Sequence, residues 1–465
     1  MAISQIKMSQ DLNQKLHGDK ITVVGLGISG LWTARALAGK GMDITVSETR
    51  SETDLAPDIC REIRELGINL ETGGHNKEAF LNANTIIISP GVPHDMGLLR
   101  AARENGAQVI GELEFAGRLI DTPIIAVTGT NGKTTVTTAI GLIFEDAGFD
   151  VFVGGNIGTP LIAYAAREKK ADYAIVEVSS FQLDTIETFC PLVSIILNIS
   201  PDHLGRYPGY EEYVQSKLSI FKNQKPGQYI ILNDDDNRLA TIRPHPGPTV
   251  YRYGIEKKEG RHAFIENNGI LTCLKPLESE GFDYKSYRLQ GKHNLENLMA
   301  IVLGARALDV SPSVIRKSIN TLEGLPHRME YVRELNGITF YNDSKATNID
   351  AAVKAIASFD RPVILIAGGR HKGADYTALV NAARVNVKKA IFLGETKDLL
   401  MTAFKGVLPV AIAKNMEDAS SMAFNCAERG DVVLLAPACS SFDMFSDYGH
   451  RGRVFKTAVE RLSGD

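Results

Sequence analysis

The stretch that most constrains this chain is PIIAVTGTNGKTT, residues 123–135. Its short apolar run, Ile124 to Val127, lies between Pro123 and the glycines and predicts a buried parallel strand. A loop from Thr128 to Thr135 follows at once, then a helix-like run from Val136 to Phe144. A strand, a glycine loop, a lysine with a hydroxyl, and a helix are what holding a polyphosphate requires. Glycines let backbone N–H groups close on phosphate oxygens, and the helix start adds its positive end. Gly129, Thr130, Asn131, Gly132, Lys133, Thr134 and Thr135 are therefore the candidate nucleotide loop. Lys133 would meet the β- and γ-phosphates, and the Thr134 hydroxyl would ligate Mg²⁺. The strict pattern has glycine six residues before the lysine, where this chain has Val127, so the loop is a variant. The competing reading is a glycine turn with a surface lysine, and the flanking strand and helix weigh against it.

With 465 residues the chain has room for two to four domains with their own cores. Charged residues make up 23% and the formal net charge is −4, which excludes a strongly basic nucleic-acid or membrane-binding surface. Cys60, Cys190, Cys273, Cys426 and Cys439 are scattered and show no C-x-x-C pair, which speaks against a disulfide framework or a zinc site. The first twenty residues hold no apolar core long enough for a signal peptide, and no apolar run approaches about 18 residues. The expectation is a soluble, cytoplasmic protein without membrane insertion.

Ahead of the nucleotide loop, the strand Ile21 to Val24 runs into Gly25-Leu26-Gly27-Ile28-Ser29-Gly30, which opens a helix from Leu31 to Ala38. A second strand, Asp43 to Val46, ends at Glu48-Thr49-Arg50, placing an acid about 20 residues on to meet a ribose hydroxyl. Taken alone this motif supports an NAD-linked oxidoreductase as the rival function, or a doubly wound domain whose glycines only permit tight packing. The strand Thr85 to Ser89 leads into Ser89-Pro90-Gly91-Val92-Pro93, a loop on the same crevice, and a helix from Asp95 to Glu104 and a strand at Val109-Ile110 follow. We place the first boundary at residue 112.

Beyond the nucleotide loop, the strand at Val151 ends in Gly154-Gly155-Asn156-Ile157-Gly158. Tyr173 to Leu183 reads as a buried strand carrying Glu177, and an acid inside an apolar strand needs a cation or a metal. In a phosphate-loop fold that partner is Mg²⁺; a buried arginine or lysine is the alternative. The strand Val193 to Asn198 leads to Asp202-His203-Leu204-Gly205-Arg206, with His203 at a strand end on the nucleotide side. Lys217, in a helical run from Tyr213 to Phe221, reads by spacing as a solvated surface lysine. Asp234-Asp235-Asp236 reads as a solvated turn after the strand Tyr229 to Asn233, and Thr249 to Tyr287 as short strands making an excursion off the main sheet. Gly291-Lys292-His293-Asn294 opens a helix from Leu295 to Leu308, with Asn294 either a cap or a nucleotide contact.

From Gly324 the texture changes. Leu325-Pro326-His327-Arg328 is a linker and a candidate hinge around Gly324-Leu325-Pro326. Strands at Ile338–Tyr341, Val363–Ala367, Ala390–Leu393 and Val432–Ala436 follow, with a helix from Ile349 to Ile356. Three loops at strand ends, Asn342-Asp343-Ser344-Lys345-Ala346-Thr347-Asn348, Gly368-Gly369-Arg370-His371-Lys372 and Pro437-Ala438-Cys439-Ser440-Ser441-Phe442, are rich in cations and hydroxyls and suit a dicarboxylate ligand.

T-G-T-N-G-K-T-T, E-V-S-S-F-Q-L, D-H-L-G-R-Y, G-K-H-N, P-H-R-M-E, N-D-S-K-A-T-N and P-A-C-S-S-F-D stand in the order of the Mur ligase family, which the chain resembles over essentially its whole length. N-D-S-K-A-T-N and S-S-F-Q-L point to the branch that adds D-glutamate. The resemblance implies an α/β protein of three domains: a Rossmann-like UDP-substrate domain (1–112), a central P-loop-type ATP domain (113–324) and a Rossmann-like amino-acid domain (325–465). It implies a monomer that uses ATP and Mg²⁺ to join D-glutamate to UDP-N-acetylmuramoyl-L-alanine through an acyl phosphate, with no nucleic-acid partner.

The resemblance gives Lys133 the γ-phosphate, Thr134 and Glu177 a first Mg²⁺, His203 a second, and Lys217 the place of a carbamylated lysine between them. Asn294, Arg328 and Asp343 match ATP contacts, and Asn156 and Ser179 match contacts to the UDP-linked substrate. Gly27, Ile28, Ser29, Thr49, Arg50, Ser89 and Gly91 match its uridine diphosphate site; Lys345, Thr347, Lys372, Ser441 and Phe442 match the D-glutamate site. Arg370 stands where an acid is usual, Tyr448 where phenylalanine is usual, and Glu48 where a shorter acid is usual.

Overall fold

The computed structural model describes residues 16–167, 169–202, 206–267, 269–274, 279–284, 291–322, 326–371 and 375–463. Its strands form three sheets along the chain, in an α/β architecture of three domains. The first sheet has five strands in the order Asn69–Glu71, Asp43–Ser47, Lys20–Val24, Thr85–Ile88, Gln108–Gly111, all parallel. Thr85–Ile88 is buried at every position, as a strand covered by helices on both faces must be. The helix Ile28–Leu37 packs so closely on the first turn that a Cβ at Gly30 would lie 1.9 Å from the Gly25 carbonyl oxygen, a place only glycine can fill.

The helix Glu112–Leu119 leads out of that sheet, and two buried acids fasten it to the central domain. Glu112 accepts the Ile162 N–H (2.8 Å), and Glu114 accepts the N–H groups of Glu187, Thr188 and Phe189 (2.8 to 3.0 Å) while pairing with Arg118. From the central domain the Arg206 guanidinium reaches back, donating to the carbonyls of Gly91 (3.1 Å) and Val92 (2.7 Å) over the Phe181 ring.

The central sheet has nine strands. Ile124–Thr128 sits between Val193–Ile196 and Tyr173–Glu177, with Val151–Gly155 at one edge. The segment expected to leave the main sheet instead extends it. Tyr229–Asn233 pairs with Thr249–Tyr253, which meets Ala263–Glu266 through the single pair Tyr253 and Ala263, and antiparallel Gly269–Thr272 and Glu280–Asp283 complete the row. The three aspartates between them are not a solvated turn. Asp234 pairs with Arg252 (2.6 Å), Asp235 with Arg261 (2.6 Å), and Asp236 accepts the Ile199 N–H (2.8 Å), so the corner is built from ion pairs and backbone caps. The helix Lys133–Asp146 covers this sheet together with Lys292–Arg306 and Pro312–Thr321; the last of these was not anticipated from the sequence.

The third sheet runs Glu330–Leu335, Ile338–Asn342, Val432–Leu435, Val363–Gly368, Val387–Leu393, Val410–Ile412, parallel except for its first pair. Parallel strands deliver their carboxyl ends, and the loops that follow, to one edge. The helix Ile349–Ile356, capped by the Asn348 side chain, follows the second strand. Of the hinge expected around Gly324-Leu325-Pro326, Gly324 and Leu325 lie outside the described residues.

Candidate active site

The loop after Ile124–Thr128 turns into its helix through Gly132, whose φ of +85° is left-handed and whose missing Cβ would lie 2.5 Å from Asn297 Oδ1. Neighbouring segments hold the loop's shape. Asn198 clasps the Asn131 backbone from both sides, accepting its N–H (2.8 Å) and donating to its carbonyl (3.1 Å). The Thr130 hydroxyl bonds the Ser200 carbonyl (3.1 Å) and the Tyr213 phenol (3.0 Å). Lys133 Nζ donates to the carbonyls of Gly129 (2.8 Å) and Thr130 (3.0 Å), which holds the ammonium over the loop.

Glu177 ends the strand beside the loop. It is 2% exposed, and its two oxygens accept from Thr134 Oγ1 (2.7 Å) and Asn156 Nδ2 (3.0 Å). Thr134, Asn156 and Glu177, expected in one site, are thus in direct contact. Ser179 begins the short helix Ser180–Leu183 with a capping box closed by Gln182.

Lys217 corrects the reading from spacing. It is 2% exposed rather than solvated, its Nζ donates to the Gly129 carbonyl (3.1 Å), and it lies 4.7 Å from the Tyr213 ring centre. The helix Tyr210–Leu218 buries Tyr213, Val214 and Lys217 on one face, so the lysine is carried in with its apolar neighbours. Burial, and secondarily the charge of Lys133, pushes its amine well below the usual lysine range.

Two walls enclose one cavity of about 460 Å³. Thr130 to Thr135, Asn156, Glu177, Ser179, Lys217 and Asn294 come from the central domain; Arg328, Asp343, Lys345, Thr347 and Phe442 come from the last. Asn294 lies in the first turn of Lys292–Arg306, buried and on the cavity, where Gly291 is the cap; it is a lining residue and not the N-cap. Burial raises Asp343 to about 6, against the Met329 N–H and the nearby Arg328 and Arg451 charges that favour its ionised form. Lys345 Nζ stands 3.9 Å from the centre of the Tyr448 ring, so the tyrosine offers an aromatic face to that ammonium. Ser441 is buried one residue before the exposed Phe442 and does not line the cavity. Arg370 turns outward to Glu395 (3.4 Å), away from the cavity walls. His203 and Lys372 lie outside the described residues.

Gly27, Ile28, Ser29, Thr49, Arg50, Ser89 and Gly91 gather apart from this cavity, at the carboxyl ends of the first sheet. The Ser89 hydroxyl donates to the Gly25 carbonyl (2.9 Å), and Arg50 Nη2 donates to the Leu26 carbonyl (2.9 Å). Glu48 departs from the expectation of a ribose contact. Its oxygens accept the N–H groups of Leu26 (2.7 Å) and Arg50 (2.9 Å) and pair with the Arg50 guanidinium (2.9 Å), so it holds the glycine loop together. Burial opposes its ionisation, but Arg50 and the two N–H donors outweigh it and hold the carboxyl at about 2.

Sequence reading missed Asn198 and Asn297. Asn297 stands three positions after Asn294, on the same helix face, which was the available signal. Asn198 was visible only as the last residue of a strand.

Three family models match the chain: Mur ligase MurD-like, N-terminal domain, at residues 19–111; Mur ligase middle domain at 127–305; and Mur ligase, glutamate ligase domain, at 327–439. The UDP-N-acetylmuramoylalanine--D-glutamate ligase of Geotalea daltonii is 40% identical over 450 residues, spanning 97% of this chain and 99% of that protein. That of Desulfatibacillum aliphaticivorans is 42% identical over 448 residues, 96% and 99% respectively. Among solved structures, a pseudomurein peptide ligase type C from Methanothermus fervidus has a TM-score of 0.61 at 22% identity, covering 96% of this chain and 100% of that one. The MurF ligase of Thermotoga maritima in complex with ADP has a TM-score of 0.59 at 15% identity, covering 99% of each. With matched models along most of its length and relatives of this identity from end to end, the chain belongs to the Mur ligase family.

Proposed function

We propose that this protein is an ATP-dependent ligase that joins D-glutamate to UDP-N-acetylmuramoyl-L-alanine in the synthesis of peptidoglycan precursors. The observation that carries the reading is the single cavity in which the nucleotide loop of one domain faces the cationic and hydroxyl-bearing loops of another. Curated relatives of about 40% identity bearing that activity's name supply the substrates. In this reading ATP phosphorylates the terminal carboxylate of the UDP-linked substrate and leaves as ADP; the neutral D-glutamate amine then attacks that carbonyl carbon, the C–O bond to phosphate breaks so that phosphate departs, and the nitrogen loses one proton and keeps the other as the amide N–H. The protein acts as a cytoplasmic monomer.

The residues fit Mg²⁺. The Thr134 hydroxyl and the Glu177 carboxylate are oxygen donors in contact on the floor of the cavity, the donor chemistry this cation prefers. A bound Mg²⁺ would neutralise phosphate charge. Lys217 suits carbamylation because its amine is buried and depressed, and a carbamate would add an anionic oxygen to the cavity that Thr134 and Glu177 line. His203 would belong to a second metal position. Lys133 holds the γ-phosphate, and Asn294, Arg328 and Asp343 hold the rest of the nucleotide. Asn156 and Ser179 orient the reacting carboxylate. Lys345, Thr347 and Phe442, with Lys372, hold D-glutamate, whereas Ser441, expected there from the sequence, is buried off the cavity wall; Lys345 is presented on the Tyr448 ring. The first domain's loops around Gly27 to Ser29, Thr49-Arg50 and Ser89 to Gly91 grip the uridine diphosphate, and Arg206 ties the last of them to Phe181 on the cavity wall.

The test is phosphate release with UDP-N-acetylmuramoyl-L-alanine and a panel of amino acids. D-Glutamate should be the acceptor; release with L-alanine on the unsubstituted muramoyl nucleotide, or with a diamino acid, would overturn the assignment. Phosphate release independent of any amine would reduce the protein to a nucleotide hydrolase.

A further inference from the structure

Within the nucleotide loop, Asn131 is divided between two duties. Its backbone is fixed inside the central domain by Asn198, which frees its side chain to leave that domain. Asn131 Nδ2 donates to Asp350 Oδ2 (2.5 Å), in the first turn of the helix Ile349–Ile356 of the last domain. Asn131 Oδ1 accepts from Asn348 Nδ2 (3.3 Å), the residue that caps the same helix. Asn348 also donates to Asp202 (3.2 Å), so its amide spans two central-domain loops while its oxygen still caps its own helix. Asp350 in turn pairs with Lys354 (2.9 Å), which lines the cavity.

These bonds join the nucleotide loop to a segment that begins one residue after Thr347 and three after Lys345. We propose that Asp350 and Asn348 are positioning residues: with Asn131 they form a side-chain latch that holds the last domain closed, so that the loop reading the nucleotide also places the loop reading the amino acid. The inference rests on the proposed ligase reaction for its substrates, but the latch itself is a contact between domains.

The geometry sets the latch apart from ordinary helix-capping. An acid in the first turn of a helix stabilises that helix through its dipole and, here, through Lys354, and neither effect needs a partner in another domain. The latch needs an acceptor for Asn131, which an amide supplies as well as a carboxylate does. Asp350→Asn keeps that acceptor and discards the charge; Asp350→Ala discards both. A hydrogen bond across a closing interface, once lost, leaves the competent state less populated, and the affinity of a ligand that needs closure falls with it.

The test combines kinetics with solution scattering on the full chain. Asp350→Ala should lower kcat/KM for D-glutamate by about tenfold to a hundredfold, leave equilibrium binding of the UDP-linked substrate unchanged, and fail to contract on adding ADP and Mg²⁺ as the wild type does. Asp350→Asn should recover most of both readouts. Combining Asp350→Ala with Asn131→Ala should be no worse for closure than the worse single change, because one contact cannot be removed twice. The latch is overturned if Asp350→Ala contracts like the wild type, if the wild type does not contract, if Asp350→Asn is as impaired as Asp350→Ala, or if the two changes multiply. A wild type that contracts with nucleotide but releases phosphate only with another amino acid overturns the substrate assignment and leaves the latch standing.

Discussion

Lys217→Ala separates the two readings of this lysine most sharply. The side chain is 2% exposed, and its amine is depressed by burial first and by Lys133 second. A neutral amine is the form that adds carbon dioxide, and the resulting carbamate would stand on the cavity that Thr134 and Glu177 also line. Truncation removes three buried methylenes, about 2.4 kcal/mol of apolar burial, partly offset by removing the desolvated amine. A domain with stability on the order of 5–15 kcal/mol survives that loss, so the variant should fold. Removing an anionic ligand from the charge-neutralising centre should cost about 4 kcal/mol or more of transition-state stabilisation, roughly a thousandfold in turnover. Acetate fits the vacated space and carries the missing carboxylate oxygens, so millimolar-range acetate or formate should restore part of the activity of Lys217→Ala and none of that of Lys133→Ala. The assay is steady-state phosphate release with and without the carboxylate, alongside thermal melts of both variants. Turnover of Lys217→Ala within tenfold of wild type would refute the reasoning. So would severe loss without rescue in a variant that melts like the wild type, since the pocket would then need the lysine itself.

Lys133→Ala should lose at least about a hundredfold in turnover with an unaltered melt, because phosphoryl transfer depends on positioning and charge neutralisation; near-normal phosphate release would remove the loop from the mechanism. Gly132→Ala forces a side chain into a left-handed turn 2.5 Å from Asn297 Oδ1, and should destabilise by about 2–3 kcal/mol in urea unfolding, with Asn297→Ala recovering part of it. Glu48 is held near 2 in the folded state against a usual 4.5, so its contribution is present above pH 4.5 and disappears as pH falls from there toward 2. Discounted for the half-exposed Arg50, that contribution is about 1–2 kcal/mol. The stability gap between wild type and Glu48→Gln should close over that range, and a gap independent of pH would show that the pair does not depend on charge.

Much of this fold was legible because its strands obey one rule. Parallel strands covered on both faces read as unbroken apolar runs, and Ile124–Thr128, Thr85–Ile88 and Val363–Gly368 lie where such runs stand. The excursion failed for the complementary reason. Thr249–Tyr253 and Ala263–Glu266 are half-buried, short and joined to each other by one residue pair, so their membership in the central sheet depends on pairing that sequence periodicity does not encode. The helix Pro312–Thr321 carries a start signal, Ser311 before Pro312, with the serine side chain capping the Val314 N–H, but its short apolar face is weaker than the features on either side.

The site divides along the same line. Residues that act through local chain geometry, such as Gly132, Lys133 and Thr134, were readable because strand, turn and helix fix their direction. Residues whose meaning is set by what packs over them were not. Lys217 sits at the fourth position after Tyr213 and the third after Val214, on the face the helix Tyr210–Leu218 turns inward. That spacing would have placed a leucine in the core without hesitation; the cationic head argued for solvent, because a buried ammonium is costly. The protein lowers that cost by holding the amine where its charge is disfavoured, beside Tyr213 and the Gly129 carbonyl. Asp234 to Asp236 show the converse: three acids expected in water are enclosed by Arg252, Arg261 and backbone N–H groups drawn from other segments. In both places the chain departs from what composition favours, and in both the partner is supplied from elsewhere in the sequence. Asn131 follows the same logic across a domain boundary. Its backbone is explained by its own loop and its side chain only by Asn348 and Asp350, more than two hundred residues away in the chain.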